Sequence, residues 1–186
     1  MNVQLPAQMD KPALFAWIQH RDGRYELAGG QVLMLTGGTV NHGLIAGNLF
    51  ETLRAQLERR KWAVLTEFGV DVGLRTIRYA DVVVVDRQAV KPKDLSAKSP
   101  ALIAEVLSPS TEKLDLGDKV AEYLQLPGLA GYLALDQDEA KAWVYARDSA
   151  QFPAPQVISG EAAIIGVPQL GIELPLAEIY AGINFG

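Results

Sequence analysis

The sequence predicts one α/β domain over residues 1–186, with a mixed central β-sheet flanked by helices. Apolar residues recur every four positions between residues 41 and 60, which is typical of an amphipathic helix. Residues 81–85 and 102–107 are apolar on both faces, which is typical of central strands buried on both sides of a sheet. Helical and extended patterns alternate without a linker or an internal repeat, and this favours a single domain.

The N-terminal part is predicted to form a short helix, a hairpin and a long helix. Residues 1–9 are expected to be flexible. Asp10 can cap the short helix, and Pro12 suits its first turn. Gly29-Gly30 predicts a tight turn between strands at residues 24–27 and 31–35. The long helix covers residues 41–60, and its apolar stripe consists of Ile45, Leu49, Leu53 and Leu57.

The rest of the chain is predicted to be strands around one further helix. The expected strands are residues 63–65, 70–74, 81–85, 102–107, 132–136, 142–147 and 156–158. The helix spans residues 116–125, with Asp115 as its N-cap and Pro127-Gly128 after its end. A Gly- and Pro-broken stretch and a last helical turn at residues 176–180 complete the chain.

Composition excludes several classes of protein. With 49% hydrophobic residues the chain is too apolar to be disordered, and without cysteine it can form no disulfide, zinc knuckle or thiol nucleophile. Its 17 basic and 22 acidic residues give a net charge of −5, which argues against a sequence-independent nucleic-acid coat protein. No charge block or broad basic stripe is evident. No targeting signal or apolar run of membrane length occurs, so we expect a cytoplasmic protein without a membrane partner.

Two carboxylates lie where carboxylates are rare. Glu105 is surrounded by apolar residues within a predicted buried strand, where an ionised group is costly unless it is paired or coordinated. A buried salt bridge or a solvent-facing edge strand would also explain it. Asp81 opens the preceding buried strand, and alone it is best explained as the polar end of a strand. Together, two such carboxylates on neighbouring strands indicate a site for a hard divalent cation such as Mg²⁺.

Other polar residues are candidates to join this pair. Lys119 shares a helix face with Leu116, Tyr123 and Leu126. Its ammonium is predicted to reach the carboxylates, to form a surface pair with Asp115, or to extend outward along the helix to solvent. Glu26 alternates with apolar neighbours in the first hairpin, as a half-exposed strand residue also would. His42 shares the inward face of the long helix, where packing or capping is the commoner role.

Further polar residues are better explained by local structure. Asp71, Asp86 and Asp136 lie near strand ends and turns, and Ser108-Pro109-Ser110-Thr111 is typical of a helix-entry turn. Arg75 and Arg78 are either turn residues, the favoured interpretation, or contacts to a DNA backbone. The sequence contains no GxSxG elbow, P-loop, GxGxxG or HExxH motif.

Several segments, taken in order, resemble the Uma2 family (DUF820) of restriction-endonuclease-like proteins over about residues 10–180. They are Tyr25-Glu26-Leu27 with Gly30, His42 with Asn48-Leu49, Ala80-Asp81-Val82-Val83-Val84, Glu105-Val106-Leu107-Ser108-Pro109-Ser110-Thr111, Asp115-x-x-x-Lys119-x-x-x-Tyr123, and Tyr132-Leu133-Ala134-Leu135-Asp136.

The resemblance implies a PD-(D/E)xK nuclease core, a hydrolase that uses Mg²⁺ or Mn²⁺ and acts on DNA, and a possible homodimer. It implies that Asp81 and Glu105 are metal ligands, that Glu26 joins them, and that Lys119 and Tyr123 complete the catalytic set. Two positions depart from the pattern. Ala80 replaces the usual proline, and Leu107 stands where the lysine is expected, so activity depends on Lys119, 14 residues after Glu105.

The leading hypothesis is therefore an Mg²⁺-dependent endonuclease that hydrolyses DNA phosphodiester bonds. The alternative is a catalytically silent binding or interaction module that keeps the nuclease fold. A phosphoesterase for a smaller nucleotide is a third hypothesis.

Overall fold

Eleven strands and five α-helices follow one another in residues 8–109, 111–148 and 151–186, the part of the chain that this computed structural model describes. The helices are α1 (Lys11–Ile18), α2 (Val40–Gln56), α3 (Glu112–Asp115), α4 (Asp118–Tyr123) and α5 (Leu176–Ile179). The strands are β1 (Arg24–Ala28), β2 (Gln31–Leu35), β3 (Trp62–Val72), β4 (Thr76–Asp86), β5 (Ser96–Ala97), β6 (Pro100–Val106), β7 (Gly131–Leu135), β8 (Lys141–Ala146), β9 (Gln156–Ser159), β10 (Ile164–Val167) and β11 (Ile172–Pro175).

Strands β1–β9 form one mixed sheet, which confirms the predicted fold class. Its path runs β2-β1-β4-β6-β7-β8-β9, and β3 pairs with β4 and with β5. Strand β6 is parallel to β7, and β3 is parallel to β5, whereas the other pairs are antiparallel. The two predicted buried strands, β4 and β6, are neighbours as expected.

Helices cover both faces of the sheet because its central strands carry apolar side chains on both sides. On one face, Ile45, Leu49 and Leu53 of α2 pack with alternate residues of β4, β6 and β7, and with β10, β11 and α5. On the other face, Tyr123 of α4 packs with the remaining residues of these strands. A smaller cluster joins α1 to the β1–β2 hairpin. Among the described residues no helix combines the length and the apolar character that a membrane crossing requires.

Several predicted elements are confirmed closely. The β1–β2 hairpin turns at Gly29-Gly30, whose φ angles are positive, and Asp10 caps α1 by accepting a hydrogen bond from the Ala13 N–H at 2.8 Å. Helix α2 ends at Gln56, four residues earlier than predicted, because Leu57 is already extended with ψ 135°.

Other elements differ from the prediction for identifiable reasons. The strands predicted at residues 63–65 and 70–74 are one strand, β3, whose ladder with β4 is interrupted at Glu67, which has φ 49° and lies between the pairs Thr66–Val82 and Phe68–Ala80. The polar residues Thr66 and Glu67 look like a loop in the sequence, although the ladder continues in the same register on both sides.

The helix predicted at residues 116–125 is also different. Only residues 118–123 of it are helical, as α4, and Gly117 separates α4 from a preceding short helix, α3; Asp115 belongs to α3 and is not an N-cap. Gly117 packs so closely on the preceding turn that a Cβ there would lie 2.6 Å from the Lys113 carbonyl oxygen.

Two further expectations concern the chain ends. The Gly- and Pro-broken stretch forms the antiparallel pair β10–β11, which the sequence did not reveal. Residues 1–7 lie outside the described residues, and the expected flexibility of residues 1–9 stays a prediction; the Met9 N–H donates to the Gly30 carbonyl at 2.8 Å.

Candidate active site

Strand β4 borders two different strands along one edge, and the gap between them forms a cleft. Strand β1 meets β4 at Ile77, whereas β6 joins it from Val82 onward. Between these points the β4 backbone has no strand partner on that edge, so its N–H groups need other acceptors. Glu26 of β1 and Glu105 of β6 supply them: the Tyr79 N–H donates to Glu26 Oε1 at 2.9 Å, and the Asp81 N–H lies 3.4 Å from Glu105 Oε2.

Asp81 and Glu105 are held at the floor of this cleft by direct contacts. Asp81 is 8% exposed and Glu105 is 3% exposed. Oδ2 of Asp81 accepts a hydrogen bond from the Val106 N–H at 2.7 Å, next to Glu105 in the sequence. Because β6 is a central strand, the edge-strand interpretation of Glu105 is wrong.

Lys119 lies among three carboxylates. Its Nζ is 2.9 Å from Glu105 Oε1, 2.9 Å from Asp115 Oδ1 and 3.6 Å from Glu26 Oε1. The side chain is buried, so the Asp115–Lys119 contact is not the surface pair that the i,i+4 spacing also allowed. Tyr123, one turn further along α4, donates its hydroxyl to Glu105 Oε1 at 3.0 Å.

A buried ion-pair network fixes α4 against β4 and β1. Arg78 is 2% exposed and makes two hydrogen bonds to Glu122, at 2.7 and 2.8 Å, and one to Glu26 Oε2 at 3.2 Å. The interpretation of Arg78 as a turn residue or a DNA contact is therefore wrong. Arg75 does lie at the β3–β4 turn, and its guanidinium donates to the Met9 carbonyl at 3.1 Å.

His42 and Arg24 lie at the entrance of the cleft. His42, near the start of α2, has Nε2 3.2 Å from Asp81 Oδ2, so it points inward as its helix face suggested. Arg24 pairs with Glu67, the β3 residue with a positive φ angle, at 2.9 Å, and the two side chains are 34% and 60% exposed. The Gly37-Gly38 backbone also lines this entrance.

Burial and charge shift several pKa values in the cleft. Burial raises the pKa of Glu105 to about 8, although Lys119 opposes this shift. Burial also opposes the charge of Lys119, but Glu105, Glu26 and Asp115 outweigh it and raise the pKa above its usual range. The hydrogen bond to Asp81 raises the pKa of His42. Burial raises the pKa of Tyr123 well above its usual range, so its hydroxyl acts as a donor at neutral pH.

The structure thus brings all five predicted site residues, Glu26, Asp81, Glu105, Lys119 and Tyr123, into one contact network; their roles stay predictions. The sequence missed Arg78, Asp115 and Glu122 as members of it. The Asp115-x-x-x-Lys119 spacing was a usable signal for Asp115. For Arg78 the signal was its place between the apolar residues Ile77 and Tyr79. These residues could have extended the strand predicted at residues 81–85 toward the N-terminus, with Arg78 inside it.

The remaining polar candidates have local roles. Asp71 pairs with Lys11, and Asp86 and Asp136 accept backbone hydrogen bonds in the turns that follow their strands. The Ser108 carbonyl accepts from the N–H groups of Thr111 and Glu112, as in the predicted helix-entry turn, although Ser110 lies outside the described residues.

The donor set fits a hard divalent cation with few protein ligands. In the part of the chain that the structure describes, no group of three or more His, Asp or Glu side chains is arranged to hold a metal ion. Mg²⁺, however, is usually held by one or two carboxylates together with waters and substrate phosphate. Asp81 and Glu105 supply two carboxylates to one cleft, where five carboxylates (with Glu26, Asp115 and Glu122) lie beside two buried cations, Arg78 and Lys119. Both oxygens of Glu26 already accept hydrogen bonds from β4, so Glu26 fits a direct metal ligand less well.

Comparison with known proteins identifies the family. The model of the Uma2 family, described as "Putative restriction endonuclease", matches residues 12–177. The chain belongs to the Uma2 family. All five predicted site residues lie within the matched range.

The chain is also similar to three individual proteins. A Synechocystis protein described only as uncharacterized is 30% identical over 122 residues. The matched part covers 60% of this chain and 66% of the relative, so the chain spans just under two thirds of the relative's length. A second uncharacterized Synechocystis protein is 23% identical over 176 residues, 91% of this chain and 90% of the relative. A crystal structure from Anabaena variabilis, described as a "putative nuclease belonging to DUF820", superposes with a TM-score of 0.76 at 15% identity, covering 96% of this chain and all of that one. At this identity the superposition shows a shared fold.

Proposed function

We propose that this Uma2 chain is an Mg²⁺-dependent endonuclease that hydrolyses DNA phosphodiester bonds. The observation that carries the proposal is the convergence of Asp81 and Glu105, from neighbouring strands, in a cleft that also contains Lys119. Two acidic side chains beside a buried lysine suit a divalent cation next to a phosphate. The family description and the description of the Anabaena protein support a nuclease.

In this proposal Asp81 and Glu105 hold the cation, with Mn²⁺ as a substitute for Mg²⁺. When bound, the cation supplies Lewis-acid polarisation of the phosphate and a more acidic water. The Val106 N–H orients Asp81, and the Tyr123 hydroxyl orients Glu105, so both carboxylates are fixed before a ligand arrives.

Lys119 is proposed to stabilise the negative charge that develops on the phosphoryl oxygens. It remains cationic because three carboxylates surround it. Its contact with Glu26, at 3.6 Å, is longer than a hydrogen bond, so one N–H of the ammonium is available to a phosphate oxygen. Glu26 then acts through charge, as a partner of Arg78 and Lys119.

Plasmid cleavage in Mg²⁺ and in Mn²⁺ tests the proposal. Asp81→Asn and Glu105→Gln should each reduce the rate at least about 100-fold, since losing even an outer partner of a metal site typically costs 10–100-fold. Asp86→Asn is the matched control, because it makes the same change on the same strand at the distant turn, and it should cleave like wild type. Equal rates for wild type and Asp81→Asn would refute the assigned site.

The alternative, a catalytically silent binding module, predicts a different outcome of the same assay. It predicts no cleavage of supercoiled, linear or single-stranded DNA by wild type in either metal. The multiple contacts to Glu105 Oε1, from Lys119 and Tyr123, are the observation that favours this alternative, because that oxygen is already occupied. Homodimerisation also stays a prediction, and light scattering at micromolar concentration would test it.

A further inference from the structure

Positive charge is unevenly distributed over the chain, and much of it lies in two segments that the fold joins. Two exposed segments, residues 59–61 and 87–98, follow α2 and β4 respectively. They contain seven exposed cations, which we name the basic surface: Arg59, Arg60, Lys61, Arg87, Lys91, Lys93 and Lys98. These segments contain one acidic residue, Asp94, so they carry 7 − 1 = +6, whereas the rest of the chain carries 10 − 21 = −11. This corrects the expectation that the chain has no basic stripe. The sequence did not reveal the basic surface because its cations come from two segments that are separate in the sequence.

The cations of the basic surface are not held in ion pairs within the described residues. None of its seven cations makes an ion pair there. The nearby carboxylates are used locally: Asp86 accepts from the Gln88 N–H and Asp94 from the Lys91 N–H, each at 2.8 Å. Lys91, Lys93 and Lys98 line a common depression, in which Asp71 is already paired with Lys11.

The basic surface is also anchored to the sheet. The Arg87 N–H donates to the Lys61 carbonyl at 2.8 Å and its Nε to the Trp62 carbonyl at 3.3 Å, which joins the two segments. Strand β5 pairs with β3 at Gly69, where a Cβ would lie 2.5 Å from the Leu95 carbonyl oxygen. The absence of a side chain at Gly69 therefore allows the second segment to pack directly on β3, and the cations are held on a fixed base.

A polyanion that reaches the cleft needs attraction from elsewhere, because the cleft itself has more carboxylates than cations. Arg87 follows β4 directly and is six residues from Asp81, or about 20 Å along the strand. That separation is shorter than one helical turn of duplex DNA, about 34 Å. One duplex is long enough to contact both.

We propose that the basic surface binds the phosphate backbone of the DNA that enters the cleft. This inference rests on the proposed nuclease function and adds a binding surface to it. The contacts are with phosphates, so they supply affinity and orientation and no sequence preference.

The test is DNA binding without cleavage. Fluorescence anisotropy of a labelled 20-base-pair duplex is measured in EDTA at 50–200 mM KCl. The combined variant Lys91→Gln, Lys93→Gln and Lys98→Gln is compared with Arg21→Gln, Arg54→Gln and Lys141→Gln, which removes the same charge outside the basic surface. Each lost phosphate contact reduces the slope of log K against log salt by about 0.9, so the first variant should lose up to about 2.7 in slope and at least about tenfold in affinity. The control should lose less than about 1 in slope.

Four results would overturn the proposal. They are no binding by wild type, wild-type slope and affinity in the first variant, an equal loss in the control, or lysine-dependent binding of phosphatidylserine vesicles without binding of DNA. Thermal melting shows that each variant is folded. Failure of the proposed function can be distinguished from failure of the basic surface. Lysine-dependent binding without any cleavage refutes the nuclease and keeps the basic surface. Cleavage that does not depend on the lysines refutes only the basic surface.

Discussion

Glu105→Gln should change how the stability of the metal-free protein depends on pH. The pKa of Glu105 is about 8 in the folded chain and 4.5 in its ordinary state, because burial disfavours the charged form. A group with a raised folded pKa contributes stability that is complete below pH 4.5 and is lost as pH rises through 8. The rise in the pKa from 4.5 to about 8 corresponds to about 5 kcal/mol, since each tenfold change in the ionisation constant is worth about 1.4 kcal/mol. Between pH 6 and pH 8 the expected loss is about 2–3 kcal/mol.

Urea unfolding in EDTA at pH 6, 7 and 8 measures this loss. The wild-type free energy of unfolding should fall relative to that of Glu105→Gln by about 2–3 kcal/mol over this range, because the amide does not ionise. Because the pKa of His42 is also raised, His42 too contributes stability that is lost as the pH rises. His42 is present in both proteins, so the difference between them isolates Glu105. Parallel curves for the two proteins would refute the assignment of a raised pKa to Glu105.

Three further changes test the packing around the site. Lys119→Met should cost about 3–5 kcal/mol in urea unfolding at pH 7, because it leaves the buried carboxylate of Asp115 without its cation; a loss below 1 kcal/mol would contradict the network. Asn48→Ala should lower the free energy of unfolding by about 1–3 kcal/mol in thermal denaturation, because its amide donates to two carbonyls at the C-terminal end of α5, and an unchanged melting temperature would argue against these bonds. Gly69→Ala should cost about 1–3 kcal/mol and speed amide exchange in β5, because its Cβ would clash with the Leu95 carbonyl; unchanged exchange there would show that β5 tolerates the shift.

The parts of the site that the sequence predicted are those with a local signature. A carboxylate within an apolar run, as at Asp81 and Glu105, contradicts its neighbours and is visible without a structure. Lys119 and Tyr123 are visible because helical spacing puts them on one buried face. Helix α4 is shorter than the predicted helix but still puts both residues on that buried face, although the predicted helix boundaries were wrong.

The parts that it did not predict depend on contacts distant in sequence. Arg78 is buried because Glu26 and Glu122, 52 and 44 residues away, neutralise it, and no local pattern reveals such partners. The cleft arises because β1 and β6 border the same edge of β4, and this strand order is a property of the sheet topology. The basic surface forms because the β3–β4 hairpin brings the segment after α2 beside the segment after β4.

The central claim is that Asp81 and Glu105 together bind a divalent cation, and calorimetric titration with Mg²⁺ tests it most directly. The account predicts saturable heats for wild type, the same heats for Asp86→Asn, and no saturable heat for the double variant Asp81→Asn, Glu105→Gln. Equal heats for wild type and the double variant would contradict it.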